Sequence, residues 1–159
     1  MLGTVNGFQP VRRTAAWTVL ECVTLALPFP LSSIMAMPER PTVMIADDEE
    51  GLRRLVWAVL GGNGCRLLEA GNGIEALALA RRERPDVMLL DVAMPGLDGI
   101  AICAALKSHP DTAGIKVALL TAMAEADDRE LGLAAGADRY ITKPFSPSQL
   151  VTEVHQLLG

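Results

Sequence analysis

The sequence predicts a doubly wound α/β fold: a five-stranded parallel sheet, order 2-1-3-4-5, with helices on both faces. Three observations carry the prediction. From residue 41 onward, short β-favouring runs alternate five times with segments of helical apolar spacing. Three of those runs, Val43-Met44-Ile45, Val87-Met88-Leu89-Leu90 and Val117-Ala118-Leu119-Leu120, are continuously apolar, the pattern of strands buried on both faces. The second and fifth runs are less hydrophobic and suit the sheet edges, which yields the order 2-1-3-4-5 with right-handed crossovers.

The elements follow in turn. Residues 42–46 form the first strand, and Leu52, Leu55, Val56, Val59 and Leu60 recur at helical spacing up to the Gly61-Gly62-Asn63-Gly64 stop. Residues 66–69 make the second strand. The helix over 73–84 carries Ile74, Leu77, Ala78 and Arg81 on successive turns and stops at Pro85. Residues 86–91 are the third strand, and 98–108 a helix with Asp98 at its start and Pro110 past its end. Residues 115–121 and 138–142 are the last strands. Between them lies a helix over 125–135, weakly amphipathic and interrupted by Gly132, which is expected to be the least stable. Ser146 caps the final helix with Pro147 at its first position.

Composition bounds the function. With 159 residues, half of them hydrophobic and 21% charged, the chain has room for one domain with a full core. A formal charge of -5 with no basic cluster leads to the expectation of no nucleic-acid partner. Cys22, Cys65 and Cys103 stand far apart without a CxxC pair, so neither zinc nor a disulfide framework is implied. His109 and His155 are isolated and are not taken as ligands or bases.

Residues 1–40 differ in kind. The run from Ala15 to Leu31 follows Arg12 and Arg13 and imitates a signal peptide, but Glu21, Pro28 and Pro30 make it a poor span and no convincing cleavage site follows. An export or membrane-surface segment, a disordered extension, and upstream sequence from a misassigned start at Met35 or Met37 all fit. The last is favoured, because the first convincing strand follows Met37 within a few residues. No membrane association is expected of the domain over 41–159.

Chemistry gathers at the strands' carboxyl ends, where open α/β sheets place their sites. The order 2-1-3-4-5 brings Asp47-Asp48, Asp91, Thr121 and Lys143 to one crevice. A lone Asp at a strand end often merely caps a turn, Thr121 is a common strand residue, and Lys143 alone reads as a solvated lysine. Together they are different. Three crowded carboxylates cannot all stay ionised without a cation, and a hard divalent ion, Mg²⁺ above all, suits their oxygens. A flavin or nucleotide is disfavoured: the loop after the first strand is Asp-Asp-Glu-Glu, not a phosphate cradle.

Residues 41–159 resemble the receiver domain of two-component response regulators, of flavodoxin-like fold. The resemblance is carried by Ile45-Ala46-Asp47-Asp48-Glu49, by Leu90-Asp91-Val92-Ala93-Met94-Pro95-Gly96-Leu97-Asp98-Gly99, by Leu120-Thr121-Ala122, and by Gly136-Ala137-Asp138-Arg139-Tyr140-Ile141-Thr142-Lys143-Pro144-Phe145. Each motif alone is weak; the four in order at the ends of the right strands are specific.

The resemblance implies that Asp91 accepts a phosphoryl group from a histidine kinase or phosphotransfer protein. It implies that Asp48, Asp91 and the Ala93 backbone carbonyl ligate Mg²⁺, with Asp47 acting through water. Lys143, before a cis bond to Pro144, and the Thr121 hydroxyl would hold phosphoryl oxygens, and Thr121 and Tyr140 would form the switch. Apolar residues at Ala93 and Met123 predict slow loss of the phosphoryl group. By the same resemblance the chain is a signalling domain, not an enzyme turning over outside substrates, and its location is cytoplasmic. With the chain ending after the fifth helix, a single-domain regulator acting on an unknown protein target or in a phosphorelay is expected. A phosphorylation-linked dimer through the fourth helix, fifth strand and fifth helix is compatible with it. Two alternatives stand beside this reading. One is a pseudo-receiver working without phosphorylation; the other is a Mg²⁺-dependent phosphohydrolase, for which Ala93 replaces the needed second carboxylate.

Overall fold

A computed structural model describes residues 40–122 and 126–159, with the backbone alone for 126–129. The readings made for residues 1–39, including the start at Met35 or Met37, and for Met123 lie outside the described residues. The elements alternate throughout: β1 (Thr42–Ala46), α1 (Glu50–Leu60), β2 (Arg66–Ala70), α2 (Gly73–Glu83), β3 (Val87–Asp91), α3 (Gly99–Lys107), β4 (Lys116–Thr121), α4 (Ala126–Ala134), β5 (Arg139–Thr142) and α5 (Pro147–Leu158). The strands pair in parallel in the order β2-β1-β3-β4-β5, as the hydrophobic patterning predicts.

Strand periodicity divides the core into two layers. Met44, Ala46, Met88, Leu90, Val117 and Leu119 point to one face and pack with α2 and α3. Val43, Ile45, Val87, Leu89, Ala118, Leu120 and Ile141 point to the other, against Val56 and Leu60 of α1 and Leu150 and Val154 of α5. The central strand β3 is buried along its whole length, whereas Arg66 and Glu69 of β2 and Arg139 and Thr142 of β5 are exposed, as edge strands permit.

Several strand ends differ by one residue from expectation, and α3 spans 99–107 rather than 98–108 because its capping residues Asp98 and Ser108 lie outside the hydrogen-bonded turns. Asp98 and Ser146 are caps as predicted: their side chains accept from the N–H groups of Ala101 and Gln149 at 2.9 and 3.1 Å. α2 stops one residue early, with Arg84 in the left-handed region at φ 47°, since Pro85 bars it from continuing the helix.

Of the residues that recur along α2, Leu77 packs partly buried against the core, but Ile74 and Ala78 do not form its buried stripe. Gly73, Ala76 and Ala80 are buried, while Ile74 is 70% exposed and Ala78 lies outside. At the first residue of the helix the cause is close approach: a Cβ on Gly73 would sit 2.2 Å from the Leu97 carbonyl oxygen, so only glycine fits there. A milder correction applies to α1, where Leu55 is at the margin of the buried stripe and exposed.

Candidate functional site

Strand register builds the site. β1 and β3 pair up to Ala46 and Leu90, so Asp47 falls one step further, beside Asp91, the last residue of β3. Asp91 is 4% exposed and Asp47 is fully buried, while the next residue, Asp48, opens to solvent. Thr121 ends β4, buried, opposite Thr142 of β5. The Lys143 N–H donates to the Thr121 carbonyl at 2.7 Å, extending that ladder by a residue, and the Lys143–Pro144 peptide is cis. From there the Lys143 Nζ donates to Asp47 Oδ2 at 2.6 Å and to Asp91 Oδ1 at 2.8 Å. Two aspartates that lie 96 and 52 positions before Lys143 in sequence thus share its ammonium.

Charge is finely opposed here. Burial pushes the Asp91 carboxyl above its ordinary range; the Lys143 hydrogen bond and charge pull it back, and the charges of Asp47 and Asp48 add to the rise. Burial works against the Lys143 ammonium as well, but its bonds to Asp47 and Asp91 outweigh that and hold its pKa above the usual lysine range. Asp47 is engaged on both oxygens, since Oδ1 also accepts the Glu49 N–H at 2.8 Å. One carboxylate oxygen from each of Asp47, Asp48 and Asp91 lies within 4.8 Å of the others, a cluster of hard donors of the kind Mg²⁺ takes.

The structure therefore brings together Asp47, Asp48, Asp91, Thr121 and Lys143. Ala93 sits two residues past Asp91 in the exposed loop that leads to α3. Tyr140 is on β5, half-buried, beside Gly132 of α4, and its hydroxyl is buried with no hydrogen-bond partner among the described residues. One neighbour escaped the sequence reading: Arg53 of α1, whose Nη1 donates to the Asp47 carbonyl at 2.8 Å. A basic residue in the first turn after an acidic loop was the available signal.

Residues 43–155 match the profile of the response regulator receiver domain. The chain belongs to that family. It is 39% identical over 119 residues to the DNA-binding response regulator MtrA of Mycobacterium leprae, covering 75% of this chain and 52% of the relative. Among solved structures it resembles the receiver domain of the Francisella response regulator 1452, with a TM-score of 0.69 and 33% identity over 74% of this chain and 96% of that one. The chemotaxis response regulator CheY4 of Vibrio cholerae matches with a TM-score of 0.70 and 29% identity, covering 74% and 98%. Receiver domains are signalling domains rather than classical enzymes, and no helix among the described residues is long and apolar enough to cross a membrane.

The comparison corrects one expectation. MtrA is named a DNA-binding response regulator, and this chain spans about half the length of the curated relatives it matches. The prediction of no nucleic-acid partner is therefore overturned. Its premise was the acidic charge of the receiver, which reports on the receiver's own surface and not on what a regulator carrying such a domain binds.

Proposed function

We propose that this chain is a phosphorylatable receiver in which Asp91 takes a phosphoryl group from the phosphohistidine of a sensor kinase or phosphotransfer protein. The observation that carries the reading is the single Lys143 ammonium donating to both Asp47 and Asp91 at the sheet's carboxyl edge. An Asp91 oxygen bonds to phosphorus while the P–N bond to the donor histidine breaks; the electron pair leaves with the imidazole, which takes up a proton. Such transfers depend on positioning and charge neutralisation more than on covalent chemistry.

Lys143 supplies a compact positive charge for one phosphoryl oxygen, and the Thr121 hydroxyl a hydrogen bond for another. Asp48, Asp91 and the Ala93 carbonyl would hold Mg²⁺, with Asp47 contributing through water; the ion supplies a second positive charge against the phosphoryl oxygens.

Output passes through Thr121 and Tyr140. Once the Thr121 hydroxyl turns to the phosphoryl group, the Tyr140 ring changes position and remodels the surface of α4, β5 and α5. Leu131 and Leu133, 57% and 53% exposed on α4, support that face as the partner-binding surface. The name of MtrA supports a role for that signal in regulating DNA binding.

The test is the intact-protein mass after incubation with Mg²⁺ and acetyl phosphate, beside an Asp91→Asn control. A gain of one phosphoryl group that the control lacks is the expected result. No gain from acetyl phosphate or from phosphohistidine donors, with the fold intact, would favour a pseudo-receiver.

A further inference from the structure

We propose that Arg53 is a positioning residue that sets the Mg²⁺ affinity of this site, by holding the peptide unit between Asp47 and Asp48. The inference rests on the reading of Asp47, Asp48 and Asp91 as the metal-facing carboxylates. The Arg53 side chain is 18% exposed, and its Nη1 donates to the Asp47 carbonyl oxygen at 2.8 Å. That oxygen belongs to the planar peptide that joins the two aspartates. Fixing it fixes the direction in which the chain enters Asp48, the carboxylate of the cluster that opens to solvent.

Arg53 is itself braced. Its Nε lies 3.9 Å from Glu69 Oε2 on β2. The guanidinium also lies over Gly71, where a Cβ would meet Nη1, Cζ and Nη2 at 3.6, 3.8 and 3.9 Å. Gly71 in turn donates its N–H to Glu75 Oε2 at 2.9 Å. One guanidinium thus joins the acidic loop to Glu69 of β2 and covers Gly71, in the loop before α2. A planar fork can grip a carbonyl with one nitrogen and face a carboxylate with another; a lysine ammonium cannot do both.

Charge alone predicts the opposite effect. A cation beside three carboxylates repels a second cation, so its removal should tighten Mg²⁺ binding if Coulomb repulsion were its only influence. Positioning predicts weaker binding, as when the groups that orient metal ligands are lost elsewhere. The sign of the change separates the two.

The experiment is calorimetric titration of the full chain with Mg²⁺ for wild type, Asp48→Asn, Arg53→Gln and Arg53→Lys, with thermal unfolding of each in metal-free buffer. Asp48→Asn should abolish the site's binding. Arg53→Gln should weaken it about tenfold despite removing a positive charge. Arg53→Lys should also weaken it although the charge remains, and it decides the matter if Arg53→Gln does not fold. Unchanged or tighter binding in the folded Arg53 variants, with binding still lost in Asp48→Asn, overturns the positioning role alone. Wild-type binding that ignores Asp48→Asn overturns the metal-site reading, and the role of Arg53 with it.

Discussion

The Lys143 ammonium donates to Asp91 Oδ1 at 2.8 Å, so one oxygen of the Asp91 carboxylate is held by a cation. Because the same Nζ also serves Asp47 at 2.6 Å, its loss leaves two buried carboxylates facing each other. Lys143→Ala should cost about 1–3 kcal/mol of stability, the range for stranding a buried hydrogen-bonding group. Asp91→Asn should cost less, because Lys143 keeps Asp47. Urea unfolding of both variants measures the order; an equal or larger loss in Asp91→Asn would show that the shared ammonium is not what stabilises the pair.

Asp138 makes a second, purely structural clasp. Its Oδ2 accepts from Lys107 Nζ at 2.7 Å and from the Val117 N–H at 2.9 Å, and Lys116 Nζ stands 3.3 Å from Oδ1. Burial raises its pKa, but the Lys107 hydrogen bond, the Val117 N–H and the Lys107 charge outweigh that and hold it below the ordinary aspartate range. A carboxyl whose folded pKa is depressed adds stability that is complete above the unfolded value, about 3.9, and is lost as pH falls through the folded one. The stability gap between wild type and Asp138→Asn should therefore be widest near neutral pH and shrink below about pH 4. Chemical denaturation across that interval is the check, and a gap independent of pH would refute the clasp.

The strand order was legible because buried and edge strands differ in composition: β3 is apolar from Val87 to Leu90, whereas β2 carries Arg66 and Glu69 on its exposed positions. Asp47, Asp48, Asp91, Thr121 and Lys143 were legible for a related reason. Each stands at or just past the end of a strand, and parallel topology sends all those ends to one edge. What stayed hidden depends on distances. The inner stripe of α2 is Gly73, Ala76 and Ala80, residues whose low hydrophobicity conceals how closely the helix approaches Leu97. The position of Arg53 in the turn after the acidic loop places a basic residue near Asp47, but it does not show that the guanidinium turns back to the Asp47 carbonyl.

Burial pushes the Cys103 thiol up to about 11, against the lowering effect of the nearby Lys107 charge. The thiol also points its hydrogen at the Ala135 carbonyl, 3.6 Å away. The thiolate is the reactive form, so Cys103 should resist iodoacetamide at neutral pH until the domain unfolds. Cys65, half-buried just before β2, should be modified before Cys103. Peptide mapping over a labelling time course separates them, and equal rates in the native state would contradict the buried placement of Cys103.

Tyr140 and Gly132 make the proposed switch open to observation. The ring lies close to α4, where a Cβ on Gly132 would stand 3.3 Å from both Cδ2 and Cε2 of the tyrosine and 2.8 Å from Leu119 Cδ1. In this position the Tyr140 hydroxyl is buried and unpaired among the described residues, a cost of about 1–3 kcal/mol that another ring position can relieve. Gly132→Ala adds helix propensity to α4, but it also crowds the ring where it now lies and should shift the population toward the alternative. Tyr140 is the only tyrosine in the chain, so fluorotyrosine incorporation gives a single ¹⁹F resonance for the switch. That resonance should move in the same direction on phosphorylation of the wild type and on Gly132→Ala without phosphorylation. A Gly132→Ala spectrum that keeps the wild-type unphosphorylated shift would mean that α4 does not set the position of the ring.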